Sequence, residues 1–223
     1  MTTTDQASAT RPLRADAARN RARILDAARE LFADRGLDVT LDDVAAHAGV
    51  GVGTVYRRFA NREELIVGVF VDHLETIAAK IRTAVADADP WESVVILLTT
   101  VGDVMASDRG LATVLTAVDH TAETMRAAKA TVEELVTEIV EKAKSANAIR
   151  PEIETADFFG LVCMLAAIGD ATQNTDGAWR RFAEILLDGL RGDGPRVPLT
   201  TPALTEDQIR QLDEHKLERL RRQ

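Results

Sequence analysis

Two short helical stretches, Leu41–His47 and Gly51–Phe59, are separated only by Ala48-Gly49-Val50. Helices this short are marginal on their own. They persist only by packing on each other and on a neighbour. Gly49 suits a tight turn where a side chain would block the approach of the two helices. Val44, Ala45, Val50 and Val55 are spaced to meet between them, and small Ala45 and Ala48 allow close contact. Thr40 can cap the first helix by accepting an orphan backbone N–H. Gly51 is an acceptable but weak cap for the second. Asn61, with Glu64 three residues later, has the pattern of a capping box for a third. Helix, three-residue turn and helix form a helix-turn-helix.

The second short helix has an unusual outward face. Gly51, Val52, Gly53 and Thr54 are small, and Tyr56, Arg57 and Arg58 are long donors. Small residues at the N-terminal end let the backbone enter a major groove, where base edges are read. Thr, Tyr and Arg around it can reach phosphates and fix register. Arg62 stands at the start of the next helix, placed for a phosphate. Phe59 reads as packing that locks this helix onto the one after it.

The rest of the chain is helix-periodic, with no strand pattern and no internal repeat. Residues 1–15 are polar and small and are expected to be a disordered basic arm. Ile24, Leu25, Ala28, Leu31 and Phe32 lie on one face of a helix from Asp16 to Arg35, stopped by Gly36. Residues 16–62 thus form the helix-turn-helix domain. A long helix from Asn61 carries Leu65, Ile66, Val69, Phe70, Leu74, Ile77, Ile81 and Val85 on one stripe and ends near Ala88. Asp89-Pro90-Trp91-Glu92 opens a helix to about Ser107. A short helix follows between Gly110 and Val118, then long ones over Ala122–Ala146, Glu154–Gln173 and Ala178–Leu190. Residues 63–191 form this larger helical domain. Residues 192–223 read as a linker and an amphipathic tail, with Ile209, Leu212, Leu217 and Leu220 on one helical stripe.

A net charge of -9 argues against DNA if taken alone, but its distribution reverses the argument. Residues 1–62 hold ten arginines and eight acids; residues 63–223 hold seventeen bases and twenty-eight acids. Local field, not net charge, attracts phosphate. The single cysteine, Cys163, forms no internal disulfide and fits a reducing compartment. No apolar stretch approaches the roughly 20 residues that a bilayer span needs. The chain reads as a cytoplasmic protein with no membrane partner.

The segment AHAGVGVGTVYRRFANREEL resembles the helix-turn-helix of TetR-family regulators. Thr40, Ala48, Gly49, Val50, Gly53, Thr54, Val55, Tyr56 and Phe59 match that pattern in place. The upstream ILDAARELFADRG resembles the family's first helix. The sequence departs at Gly51, where Ser is more usual, and at Arg62, where Lys is. Gly still tolerates the cap position, and Arg keeps the charge. The match covers about residues 20–65. It implies an all-α subunit of about nine helices, with a three-helix DNA-binding domain on a larger ligand-binding and dimerisation domain. Two such subunits pair through their last two helices and place recognition helices in successive major grooves of a near-palindromic double-stranded operator. Thr40, Val52, Gly53, Thr54, Tyr56, Arg58 and Arg62 are the DNA-facing positions by resemblance, and Arg57 is added from its chemistry. Arg11, Arg14 and Arg19 are candidates for minor-groove or backbone contacts.

The helix around Phe158–Ile168 is apolar nearly all round, so it needs cover on every side. A homodimer interface through Phe158, Leu161, Leu165, Ile168, Phe182, Ile185 and Leu186 supplies it; an internal core is the alternative. In the resembled family the ligand pocket lies between helices of this domain. Trp91, Met105, Met125, Phe158 and Met164 are the candidate lining here, and each also reads as plain core. Methionine suits a deformable apolar pocket, so the small-molecule effector is expected to be mainly apolar.

Two other classes compete. None of His47, His73, His120 and His215 has metal-ligand spacing, and Cys163 has no CxxC partner. No glycine-rich phosphate loop follows a strand. The chain therefore reads as no enzyme, with no catalytic residue, metal or cofactor. A helical protein–protein adaptor without DNA binding is the second alternative. It leaves Gly53-Thr54-Val55-Tyr56-Arg57-Arg58 unexplained.

Overall fold

The computed structural model describes residues 6–36, 38–107, 123–172, 177–194, 197–205 and 208. Among these the chain is all-helical: α1 (Gln6–Arg35), α2 (Leu41–Ala48), α3 (Val52–Arg58), α4 (Arg62–Val85), α5 (Pro90–Ser107), α6 (Glu123–Ser145), α7 (Thr155–Ala171) and α8 (Ala178–Leu190). The ninth helix expected, between Gly110 and Val118, lies outside the described residues.

One expectation is corrected. α1 begins at Gln6, so residues 6–15 continue the helix instead of forming a disordered arm. Ala7, Ala9, Leu13, Arg14 and Ala15 are strong helix formers, which the polar composition masked.

The other predicted starts are observed. Asp43 N donates to Thr40 Oγ1 (3.1 Å), and Thr40 N donates back to Asp43 Oδ2 (3.0 Å), a complete capping box. Gly51 caps α3 with no side-chain bond. Glu64 N donates to Asn61 Oδ1 (2.8 Å), while the Glu64 carboxylate accepts from Ala60 N, one residue further back than the standard box. Glu92 N donates to Asp89 Oδ1 (2.8 Å), with Pro90 as the first residue of α5.

Two apolar clusters hold the molecule. The first joins α1 to α4 through Ile24, Leu25, Phe32, Val44, Val55, Phe59, Leu65 and Phe70. The second lies among α4 to α8 around Ile81, Leu98, Ile139, Phe158 and Trp179. Gly102 on α5 makes room for Trp179 of α8: a Cβ there would stand 2.3 Å from the indole. Met125, in the first turn of α6, is fully buried in the first cluster. The larger domain therefore lends a side chain to the core of the smaller one.

The C-terminal end of α8 is latched. Arg150 N donates to Leu190 O (3.0 Å) and Gly192 N to Ala148 O (3.0 Å), and Ile149 and Arg191 form an isolated antiparallel bridge. Arg191 then stacks 4.4 Å from the Trp91 ring. Beyond it, residues 197–200 have no regular secondary structure, and Arg150 donates to Val197 O (2.8 Å). Thr205 and Gln208 exchange the reciprocal bonds of a capping box, the signature of a helix start. The remainder of the expected tail helix lies outside the described residues.

Candidate nucleic-acid interface

The candidate surface is built by α3 together with the N-terminal ends of α2 and α4. Val55 is fully buried, and Phe59 follows it into the core beside Gly68 of α4, where a Cβ would approach the ring to 2.7 Å. With those two inward, the same turns expose Val52 (45%) and Tyr56 (49%), which are large for open surface. Gly51, Gly53, Arg57 and Arg58 are exposed beside them, and Thr54 is half-buried. A Cβ at Gly53 would meet nothing within 4 Å, and one at Gly51 only Thr54 Oγ1 at 3.8 Å. Among the described residues, nothing requires either glycine. The room they leave is on the outside.

A cleft of about 490 Å³ opens beside α3. Thr40, Tyr56, Asn61 and Arg62 are among its lining residues, so it gathers three of the eight predicted contacts. Two helix N-termini, those of α2 and α4, meet there, and such ends favour anions. Thr40 is less available than its sequence suggested. Its hydroxyl accepts from Asp43 N and donates to Asp43 Oδ2 (2.6 Å). Those hydrogen bonds from the Thr40 side chain and backbone hold the Asp43 carboxyl below the usual carboxylate range, with Arg35 adding a smaller push the same way. Arg57 lies 3.5 Å from Thr54 Oγ1, a long contact. Arg62 is half-buried in the first turn of α4.

The basic run of α1 is more internally engaged than its charge implied. Arg21 pairs with Asp72 of α4 (2.9 Å). Arg23 donates to Ala48 O (2.6 Å) and Gly49 O (3.1 Å). Arg29 pairs with Asp26 (2.8 Å), and Arg19 with Asp16. The side chains of Arg11 and Arg14 lie outside the described residues. His47, at the end of α2, bonds Glu30 of α1 (2.7 Å).

This geometry coincides with family matches at both ends of the chain. Residues 24–69 match the model of the N-terminal domain of bacterial regulatory proteins of the tetR family. Residues 89–192 match that of the SbtR-like transcriptional regulator C-terminal domain. A crystal structure of a TetR transcription regulatory protein from Mycobacterium vanbaalenii is 33% identical over 81% of this chain and 99% of that one, with a TM-score of 0.63. The chain belongs to the TetR family. Its TetR domain is 42% identical over 69 residues to the HTH-type transcriptional repressor Rv3405c of Mycobacterium tuberculosis, covering 30% of this chain and 36% of that one. The curated relatives are matched over only 36% to 63% of their own length. FadR of Bacillus subtilis, solved with stearoyl-CoA, shares the TetR fold: it is 18% identical over 76% of this chain and 99% of that one, with a TM-score of 0.62. It carries both the helix-turn-helix domain and a C-terminal domain of TetR-family transcriptional regulators. No described helix is long and apolar enough to cross a membrane.

The body of this TetR subunit scatters the other predicted residues. Of the expected interface, Phe158 and Leu165 are each only 3% exposed in the single subunit and have no surface to give a partner. They are corrected to core. Leu161, Ile168 and Leu186 are half-buried, packed against that core. The outward apolar surface is instead Met164 (50%), Phe182 (41%) and Ile185 (56%), with Cys163 and Ala167 exposed on the same helix as Met164. An all-apolar helix does not reveal in its sequence which of its faces turns inward.

The five predicted lining residues are not brought together. Trp91 is half-buried under Arg191, Met125 lies in the N-terminal core, Phe158 is in the body core and Met164 is on the open face. The side chain of Met105 lies outside the described residues. A smaller cleft of about 260 Å³, between α4, α5 and α6, is lined by other residues, among them Arg82, Ser93, Leu135, Ile139 and Lys142. Sequence reasoning missed this cleft and the Arg23 clamp. The partners in both are far apart in the chain, and no local pattern marks them.

Proposed function

We propose that this regulator is a repressor that binds a near-palindromic operator as a homodimer and is released by a small, mainly apolar ligand. The observation that carries the reading is the outward face of α3, where exposed Val52 and Tyr56 stand beside glycines that no described residue requires. Val52 is suited to a thymine methyl, and Arg58 to a base edge or a phosphate. Tyr56, Arg57, Thr54, Thr40 and Arg62 serve the backbone and fix register. Gly53 admits the close approach.

Dimerisation is supported by the exposed apolar side chains of α7 and α8, which water solvates poorly. Pairing there sets two α3 helices at the spacing of one DNA turn, about 34 Å. The relay to the body is supported by Met125. A ligand that shifts the start of α6 disturbs the core on which α3 rests. It lowers operator affinity by its preference for the shifted state. An apolar ligand is favoured by the apolar interior between α4 and α8 and by the stearoyl-CoA complex of the FadR relative.

The test is selection of bound duplexes from a random pool at two salt concentrations. A near-palindromic site with steep salt dependence supports the reading. No enrichment and no salt-sensitive binding would replace it with the adaptor alternative. Tyr56→Phe and Arg58→Ala should each weaken binding to the selected site by roughly 1–3 kcal/mol. Intact binding by both in a folded dimer would remove them from the contact list.

A further inference from the structure

Arg23 belongs to the arginine-rich stretch that sequence alone would aim at phosphate. Its position says otherwise. Its guanidinium spans the end of α2, donating to Ala48 O and Gly49 O across 25 and 26 residues of chain. Those carbonyls belong to the turn of the helix-turn-helix. The negative end of the α2 dipole lies there, where a cation is favoured. Gly49 is left-handed (φ +61°), and a Cβ on it would sit 3.1 Å from the same guanidinium. The arginine thus occupies the flank that the missing side chain leaves open.

The helix beyond that turn is anchored at its far end, where its C-cap Phe59 is buried beside Gly68, and has few constraints at its near end. α3 has seven residues, and its Gly51 cap makes no side-chain bond. Its only buried residue is Val55. The angle at which α3 leaves the turn therefore depends on how the turn is held. We propose that Arg23 is a positioning residue for sequence reading: it fixes the Ala48–Val50 turn, and through it the pose of α3, without contacting DNA phosphate.

This inference rests on the DNA-binding reading above and makes a distinct prediction. Non-specific binding is set by charge and salt and tolerates a loose recognition helix. Base reading requires a fixed pose. The experiment uses the full chain as wild type, Arg23→Ala and Arg23→Lys. Affinity is measured for the selected operator and for a scrambled duplex of equal length across a salt series, with thermal melting as the check of folding.

Arg23→Ala should weaken the operator complex by at least about tenfold, the size expected for a lost hydrogen bond to a charged group. The scrambled duplex should bind as before, and the salt slope should not change. Arg23→Lys, which can still donate to one carbonyl, should recover part of the discrimination. Equal weakening on both duplexes, with a salt slope shallower by about 0.9 per subunit, would make Arg23 a phosphate contact and overturn the proposal. Equal weakening with an unchanged slope and a lowered melting point would reduce it to a stability residue, also against the proposal. If Arg23→Ala does not fold, Arg23→Lys carries the same comparison with a smaller loss. A wild-type protein that does not distinguish the two duplexes would instead refute the DNA-binding reading itself.

Discussion

The N-terminal domain and the body solve the same problem, holding helices together, by different means. In the first, the eight residues of α2 are tied at both ends by named polar bonds, the Thr40–Asp43 box, the Arg23 clamp and the His47–Glu30 pair, and the seven of α3 lean on them through buried Val55 and Phe59. In the body, α6 and α7 have 23 and 17 residues and are held chiefly by apolar packing, with Trp179 seated on Gly102 at its centre. Directional bonds fix orientation, which a reader of base edges needs. Apolar packing fixes volume and tolerates rearrangement more easily, which suits the ligand response proposed for the body.

If that contrast holds, the largest single loss should come from the body. Trp179→Ala should cost about 3–5 kcal/mol in denaturant unfolding, because it empties a fully buried indole site. Gly102→Ala, which drives a methyl into the same ring, should cost about 1–3 kcal/mol. In folded protein, both should leave the preference for operator over scrambled DNA unchanged. A large loss of that preference would mean that body packing also sets orientation.

Thr40→Ala should be smaller, about 1 kcal/mol by the same measurement, but should weaken operator binding out of proportion because it loosens the mouth of the cleft.

The smallest effect concerns pH. The Asp43 carboxyl is held below its ordinary value of 3.8, so its stabilisation of α2 is present above that value. It is lost as pH falls through the lower folded value. The gap between thermal melts of wild type and Asp43→Asn should therefore be widest near neutral pH and narrow as pH is lowered below 3.8. A gap that stays constant would mean that the box does not depend on the charge.

The contrast also explains what the sequence disclosed. Thr40, Gly51, Asn61 and Asp89 were legible as caps because a cap and its partners lie within four residues. The outward face of α3 was legible because two short helices leave little choice of what turns inward. Asp43 as the reciprocal partner of Thr40 was within reach, three residues on. Arg23 was not, because its partners lie 25 and 26 residues away. In the body, Met164 and Leu165 are neighbours in sequence and opposite in fate, one half exposed and one buried. Apolar character alone does not separate a subunit core from a face awaiting a partner. Met125 reads like any core methionine, and nothing local tells which core receives it.

That last placement bears on modularity. A helix-turn-helix that is matched by so many relatives invites transplantation onto other bodies. Here the smaller domain is not a closed unit, since its apolar cluster takes in Leu65, Ile66, Val69 and Phe70 of α4 and Met125 from the start of α6. A hybrid that carries α1 to α4 onto a foreign body keeps Leu65 and Phe70 but still lacks Met125, and inherits a hole unless the donor offers a side chain of similar bulk at that point. Heat should likewise melt the two domains in a single transition. The same methionine therefore limits which bodies can be exchanged beneath this helix-turn-helix.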